Sequence, residues 1–397
     1  MRIGLFTGGG DCGGLEAVIR GVVFAAHSEN IEVLGIPNGY LGLYNLDKNP
    51  GIILQCPMVD NRAKKCGTII GTSRVKLNLI PDGFEKVKKN LENSNIDILI
   101  GAGGDDTSLV LEQLSNAGFK VIWVPKTMDL DILPYSVGGS SAINKIADAV
   151  YELRTTARSH DRILVVEVFG RYVGHTALYG GVAGQADMIL IPEIPVDVDY
   201  MYRTIIEKYR TRLENSPLKK SWYMIVVSEG IKDIRTAELI TASSELDHFG
   251  HVQLGGAGEY IVNIIKKKLK EDDELKTVLD KNGVFIKGVL EYPNVRSVNL
   301  GHTIRSGISD AYDATQGQKY GAAAIECVKR GYYSIGIADV KGDKIYTMPI
   351  GLLRQQRPVN METVALYEKM GYNFGRKPVE YRPEIKTISS SEITRIF

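Results

Sequence analysis

The chain has few cysteines, almost no net charge and no long apolar run, and each absence excludes a class of protein. Its four cysteines include no Cys-x-x-Cys pair, which argues against a disulfide framework or a zinc site and favours a reduced, cytoplasmic protein. A formal net charge of +1 over 397 residues provides no basic footprint for nucleic acid. No run of about 18 apolar residues is present, so no membrane span is expected. A strand begins almost at the first residue, so no signal peptide is expected either.

What the chain does have is an alternation of strand-like and helix-like segments, with 42 glycines, several of them at strand ends. Strands are predicted at residues 3–7, 33–36, 96–100, 121–124, 163–168, 188–191, 223–227, 285–290 and 334–337, and helices at 15–28, 84–92, 109–117 and 142–158. Such alternation predicts parallel sheets with helices on both faces. The length is enough for two domains. The predicted fold is therefore α/β, with two doubly wound Rossmann-like domains and mainly parallel sheets.

Two short segments carry most of the chemistry. Residues 103–107 and 125–131 each follow a buried strand, and ligands bind at the carboxyl ends of strands in an open α/β sheet. Together they bring glycines, a lysine and four aspartates to one crevice. A single aspartate after a strand is usually a helix cap. Four within 27 residues at two strand ends favour a polyphosphate site with a metal and a general base.

A third segment, the glycine loop at residues 8–14, follows the first strand and opens the first helix. Its backbone N–H groups can bind an anion, and the helix dipole favours negative charge there. Gly8, Gly10 and Gly13 also satisfy the dinucleotide pattern G-x-G-x-x-G. A dinucleotide site would need a carboxylate at the end of the second strand, and Asn38 stands there instead. A purely structural glycine turn is the other alternative.

Phosphoryl transfer needs positioned phosphates, a metal that neutralises charge and a base for the attacking hydroxyl. Asp105, after two glycines, suits Mg²⁺. Asp129 is the candidate base, because a carboxylate near a sugar hydroxyl can take its proton. Asp131 would either orient Asp129 or lie in the outer coordination sphere of the metal.

These residues lie in motifs that resemble the phosphofructokinase family of the bacterial type. The resemblance covers nearly the whole chain and rests on the glycine loop together with residues 39–44, 67–74, 103–105, 127–131, 169–171 and 300–305. It implies a phosphofructokinase-like fold. It also predicts a phosphoryl-donor domain at 1–140, with 304–354 returning to it, and a sugar-phosphate domain at 141–303 with 355–397.

Two positions resemble the pyrophosphate-dependent branch of that family. ATP enzymes usually have glycine where this chain has Asp106. They usually have Pro-Gly-Thr where this chain has Pro-Lys-Thr, with Lys126 in place of the glycine. A carboxylate at Asp106 would project where the α-phosphate of ATP must pass. Two like charges about 4 Å apart repel by about 4 kcal/mol at an effective dielectric of about 20. Pyrophosphate ends before that point, and Lys126 supplies a point charge to it.

The resemblance also implies roles for further residues. The donor would contact Gly9, Gly10, Gly104, Asp106, Thr107 and Arg74, and the catalytic group would be Asp129, Lys126, Asp131 and Arg171, with Asp105 as metal ligand. Fructose 6-phosphate would contact Thr127, Arg162, Phe169, Gly170, Arg171, Glu229, Arg296, His302 and Arg305. Arg162 and Arg296 are implied to reach a neighbouring subunit's site, so a homodimer or homotetramer is expected. No nucleic-acid or membrane partner is expected.

Four departures from the family pattern leave alternatives open. They are Gly13 for a proline, Glu16 for an asparagine, Leu130 for an asparagine, and, after His302, the segment Thr-Ile-Arg-Ser-Gly (303–307) for x-Gln-Arg-Gly-Gly. Glu16 is expected to add negative charge near the phosphate loop, and Leu130 to remove an amide beside the base. The alternatives are ATP as donor, a different sugar phosphate as acceptor, and a sensor that binds without turnover.

Overall fold

The computed structural model describes residues 1–73, 75, 77–132, 134–236, 238–239 and 256–387. Two sheets organise this part of the chain. The larger has the strand order β12-β11-β5-β4-β1-β2-β3, with β6 paired to β5. Its strands are β1 (Arg2–Thr7), β2 (Glu32–Gly35), β3 (Ile52–Ile53), β4 (Ile98–Gly103), β5 (Val121–Thr127), β6 (Val137–Gly138), β11 (Ile335–Lys341) and β12 (Lys344–Pro349).

The smaller sheet has the order β10-β7-β9-β8, and all of its pairs are parallel. Its strands are β7 (Ile163–Val168), β8 (Met188–Leu190), β9 (Tyr223–Ser228) and β10 (Val295–Asn299). All six residues of β7 are buried, as they are in β4 of the larger sheet. Burial on both faces explains why these strands are almost continuously apolar in sequence.

Helices cover both sheets. They are α1 (Leu15–Ser28), α2 (Gly39–Tyr44), α3 (Cys56–Val59), α4 (Gly83–Asn93), α5 (Asp105–Asn116), α6 (Gly139–Ser159), α7 (His175–Ala183), α8 (Val198–Asn215), α9 (Ala257–Glu271), α10 (Asp273–Lys281), α11 (Ala311–Lys329), α12 (Ile350–Leu353) and α13 (Met361–Lys369). Helix α11 packs closely on α1, where a Cβ at Gly21 would come within 2.3 Å of the Gln318 carbonyl oxygen. This contact and the pairing of β11 with β5 bring the later chain back to the larger sheet. None of the helices in the described ranges is both long and apolar enough to cross a membrane.

The α/β fold with two mainly parallel sheets is confirmed, but one predicted strand is wrong. Residues 285–290 form a tight turn in which Ile286 N donates to the Leu290 carbonyl at 2.8 Å. Gly288 lies inside this apolar run with a φ of 73°, so the chain reverses there. The strand that joins the smaller sheet is instead β10, which begins at Val295.

Candidate active site

One cavity of about 750 Å³ lies where the carboxyl ends of the two sheets face each other. The larger sheet contributes the ends of β1, β4 and β5, and the smaller sheet contributes the ends of β7, β9 and β10. Fifteen of the predicted site residues line it: Gly9, Gly10, Gly104, Asp105, Asp106, Thr107, Lys126, Thr127, Asp129, Asp131, Phe169, Arg171, Glu229, His302 and Arg305. The predicted donor, catalytic and acceptor residues therefore share one space.

Lys126 is held against the glycine loop. Its side chain is only 4% exposed, and its ammonium group donates to the carbonyl of Gly10. Burial lowers the pKa of Lys126 below the usual lysine range, and the nearby guanidinium of Arg305 lowers it further. A fixed, desolvated cation beside backbone N–H groups is suited to bind phosphate oxygens.

The turn after β5 positions Asp129. The backbone N–H of Asp129 donates to Thr127 Oγ1 at 3.2 Å, and that hydroxyl lies 3.4 Å from Asp129 Oδ2. Asp131 is 7% exposed, and burial together with repulsion from Asp129 raises the pKa of its carboxyl above the ordinary value. Between them, Leu130 has a φ of 57°, in the left-handed region that a branched side chain rarely adopts. The turn thus places two carboxylates at the cavity and strains the residue between them.

Asp105 and Asp106 occupy the first turn of α5, where the positive end of the helix dipole favours carboxylates. Thr107 lies behind them, between Gly8 and Gly103, where an added Cβ would approach Thr107 Oγ1 within 2.4 and 2.0 Å. Only glycine leaves room at both strand ends for this side chain, which brings α5 close to the glycine loop.

The carboxylates that line the cavity fit a Mg²⁺ site in which the protein supplies one ligand. Among the described residues, no group of three or more His, Cys, Asp or Glu side chains could hold a metal ion on its own. Mg²⁺ is commonly bound by one or two carboxylates together with substrate phosphates and water. The Asp105 side chain is 51% exposed and lines the cavity, with Oδ1 3.7 Å from Arg354 Nε. It is the carboxylate that would hold the metal.

The opposite wall of the cavity is built around Phe169 and Arg305. The guanidinium carbon of Arg305 lies 4.7 Å from the Phe169 ring centroid, and the ring of His302 lies 6.0 Å from the same centroid. Arg305 also donates to the Asp11 carbonyl at 3.0 Å, so it links this wall to the glycine loop. Burial, and secondarily repulsion from Asp129, raises the pKa of Glu229 to about 7.

Two buried polar atoms in the described part of this cavity have no hydrogen-bond partner. They are Asp131 Oδ1 and Arg305 Nε, both from residues that line the cavity. Buried polar groups in folded proteins are nearly always paired. Their concentration here indicates a cavity built for a polar ligand.

The phosphofructokinase family model matches residues 2–328, which are most of the chain. The chain belongs to the phosphofructokinase family.

Individual relatives also match most of the chain. A pyrophosphate–fructose 6-phosphate 1-phosphotransferase from Dictyoglomus thermophilum is 34% identical over 378 residues, which cover 95% of this chain and 99% of the relative. An ATP-dependent 6-phosphofructokinase from Corynebacterium efficiens is 34% identical over 349 residues, covering 87% and 91%. The solved structure of a pyrophosphate-dependent phosphofructokinase from Marinobacter aquaeolei has a TM-score of 0.68 at 18% identity, covering 98% and 99%, and indicates the same fold.

Three residues implied by the phosphofructokinase resemblance do not line the cavity, and a fourth lies outside the described residues. Gly170 sits between two lining residues, and its carbonyl accepts from Gly230 N at 3.1 Å. Arg162 precedes β7 and donates to Thr156 Oγ1 at 3.0 Å, while Arg296 is exposed near the start of β10. Arg74 is the residue outside the described ranges.

The expected extra charge at Glu16 is wrong. The carboxylate is fully buried, and Arg62 donates to both of its oxygens at 2.9 and 2.8 Å. This bidentate pair neutralises Glu16 within the fold. Gly13 departs from the family proline for a steric reason, because a Cβ there would lie 2.3 Å from Ser141 Oγ.

Tyr40 and Gln356 are among the polar cavity residues that were missed from sequence. Tyr40 stands in the segment 39–44 that carries part of the resemblance, so a signal was available. Gln356 lies in a late segment without a motif, and its contact with Asp131 joins residues 225 positions apart. No sequence pattern points to such a contact.

Proposed function

We propose that this chain is a pyrophosphate-dependent 6-phosphofructokinase. It transfers a phosphoryl group from pyrophosphate to the C1 hydroxyl of fructose 6-phosphate and releases fructose 1,6-bisphosphate and phosphate. The observation that carries the proposal is the pair Asp106 and Lys126, both at the donor end of the cavity. Because the donor and the product are close in phosphoryl energy, we expect a reversible reaction in glycolysis.

The donor assignment depends on these two residues rather than on overall similarity. Relatives named for pyrophosphate and relatives named for ATP are both 34% identical to this chain. Asp106 is exposed in the first turn of α5, where its charge opposes the longer polyphosphate of ATP. Lys126 faces the glycine loop and compensates the charge of the shorter donor.

The chemistry follows from the carboxylate that faces the acceptor. Asp129 accepts the proton of the C1 hydroxyl while the oxygen attacks the terminal phosphorus of pyrophosphate. The bond between that phosphorus and the bridging oxygen breaks, and the second phosphate leaves. Lys126 and Arg171 offset the charge that develops on the transferred group. Mg²⁺, held by Asp105, would supply further charge neutralisation on the phosphate oxygens.

The acceptor is bound on the opposite wall. Glu229 accepts hydrogen bonds from sugar hydroxyls, and His302 and Arg305 supply positive charge for the 6-phosphate. We assign the donor to residues 1–140 with 304–354, and the sugar phosphate to 141–303 with 355–397. A cytoplasmic location is part of the same proposal.

The assembly is proposed to be a homodimer or homotetramer. Arg162 immediately precedes β7, and the cavity residue Phe169 follows that strand. A strand rises about 3.3 Å per residue, so roughly 20 Å separates the two, farther than an arginine side chain extends. Arg162 is therefore too far from its own cavity, and the family resemblance implies that Arg162 and Arg296 complete the site of a second copy.

A coupled assay that compares pyrophosphate with ATP tests the proposal. Purified protein with Mg²⁺ and fructose 6-phosphate should form fructose 1,6-bisphosphate with pyrophosphate, and the reverse reaction should consume phosphate. Turnover with ATP alone would contradict the donor assignment. Binding of fructose 6-phosphate without turnover with either donor would identify a sensor instead.

A further inference from the structure

The segment that joins α12 to α13 connects the two sides of the cavity, and its residue Gln356 lines the cavity. In this crossing segment (residues 354–359), Arg354 Nη1 donates to Glu112 Oε2 at 2.8 Å on the donor side. At its other end, the backbone N–H of Val359 donates to Glu193 Oε1 at 2.9 Å, beside the smaller sheet. The crossing segment is therefore fixed at both ends, one on each side of the cavity.

Its middle holds Asp131 by two hydrogen bonds. The backbone N–H of Arg357 donates to the Asp131 carbonyl at 2.8 Å, and Gln356 Nε2 donates to Asp131 Oδ2 at 3.1 Å. Asp131 is 7% exposed, and its second oxygen, Oδ1, has no partner in the described part of the chain. The Gln356 amide is thus the side-chain contact that orients this carboxylate.

We propose that Gln356 is a positioning residue that fixes the Asp131 carboxylate next to Asp129 during phosphoryl transfer. The proposal rests on the function proposed above, in which Asp129 takes the proton. A neutral amide suits this place, because it donates a hydrogen bond without adding charge. Asp129 is two residues away, and a third carboxylate would repel both aspartates. The amide also ties Asp131 to a segment that is anchored on both sides of the cavity.

Substitutions at Gln356 separate positioning from packing. Gln356→Leu removes the donor and keeps the approximate size, whereas Gln356→Glu keeps shape and polarity but replaces the donor with a like charge. We expect kcat to fall about tenfold in the leucine variant and about a hundredfold in the glutamate variant. In the leucine variant, KM for pyrophosphate and for fructose 6-phosphate should stay within about twofold of wild type, because no substrate contact is removed and no charge is added.

Gln355 offers a matched control in the same segment. It is exposed, does not line the cavity, and its side-chain oxygen accepts from Arg357 Nη2 at 3.2 Å. Gln355→Leu and Gln355→Glu should therefore leave kcat within about twofold of wild type. Circular dichroism and the thermal unfolding midpoint of all four variants verify that they fold.

The relative kcat of the two Gln356 variants tests the positioning role. If Gln356 were only structural, glutamate at this exposed position would be harmless and leucine would be the more damaging change. A glutamate variant at least as active as the leucine variant overturns the proposal. So does a rise in KM with unchanged kcat in the leucine variant, which would make Gln356 a substrate contact. Absence of pyrophosphate turnover in wild-type protein is a separate result that contradicts the proposed function and this role together.

Discussion

The two walls of the cavity are built alike but are not equally complete. The donor wall takes its residues from the ends of β1, β4 and β5, three neighbouring strands of the larger sheet. The acceptor wall takes its residues from β7, β9 and β10, three neighbouring strands of the smaller sheet. Of the predicted donor residues that the structure describes, all line the cavity. Two of the predicted acceptor cations, Arg162 and Arg296, do not.

This difference shows what a single chain can supply. Lys126 is fixed by a backbone carbonyl of its own chain, and every predicted donor residue that the structure describes lines the cavity of that chain. The acceptor wall is proposed to bind a phosphate ester, which favours several guanidinium groups in bidentate geometry. One chain brings Arg171 and Arg305 to it. We infer that the donor wall works within one subunit and that the acceptor wall is completed by another.

Asp129→Asn removes the proposed base at the junction of the walls and should have the largest effect. The amide keeps the shape of the carboxylate but cannot take the proton, so we expect kcat to fall about 10⁴-fold with little change in KM. Steady-state rates with pyrophosphate measure this. Asp148→Asn, on the exposed face of α6, is the control and should retain wild-type kcat. Full activity in Asp129→Asn would refute the base role.

Asp106→Gly tests whether the donor wall selects pyrophosphate by charge. Removing a repulsion of about 4 kcal/mol should raise kcat/KM with ATP by up to about 10³-fold. KM for fructose 6-phosphate should not change, because the acceptor wall is untouched. Measuring kcat/KM with ATP and with pyrophosphate on the same preparation gives the ratio of the two values. An unchanged ratio would mean that another part of the donor wall excludes ATP.

Arg162→Ala with Arg296→Ala tests whether the acceptor wall is shared between subunits. Loss of charged contacts to the 6-phosphate should raise KM for fructose 6-phosphate about 100-fold and leave KM for pyrophosphate unchanged. Co-refolding this variant with Asp129→Asn should restore activity, since one site then combines an intact Asp129 with the partner chain's intact arginines. No recovery in verified mixed oligomers would contradict the shared site.

The donor wall was also the more predictable from sequence. Its residues follow apolar runs directly, so the period of the strands and the glycines locate Asp105, Lys126 and Asp129 at one sheet edge. Contacts between distant segments were not predictable. Glu16 is neutralised by Arg62, 46 residues away, and Asp131 is held by Gln356, 225 residues away. These pairs depend on tertiary packing, which no local pattern encodes.

Glu229→Gln tests whether burial of the Glu229 carboxylate in the acceptor wall lowers the free energy of unfolding. The pKa of Glu229 is raised from 4.5 to about 7, so the folded state binds more protons than the unfolded state between these values. Free energy of unfolding therefore falls as pH rises from about 4.5 to about 7. The glutamine variant should match wild type at pH ~5 and be about 2 kcal/mol more stable at pH ~8, less than the full shift implies because Glu229 is partly solvated.

Urea unfolding at both pH values measures this difference, and kcat/KM for fructose 6-phosphate should fall in the same variant because the amide accepts fewer hydrogen bonds from the sugar. Glu214→Gln, at an exposed position near the end of α8, is the matched control and should change neither quantity. An equal stability difference at both pH values would mean that burial of the charge is not what Glu229 contributes.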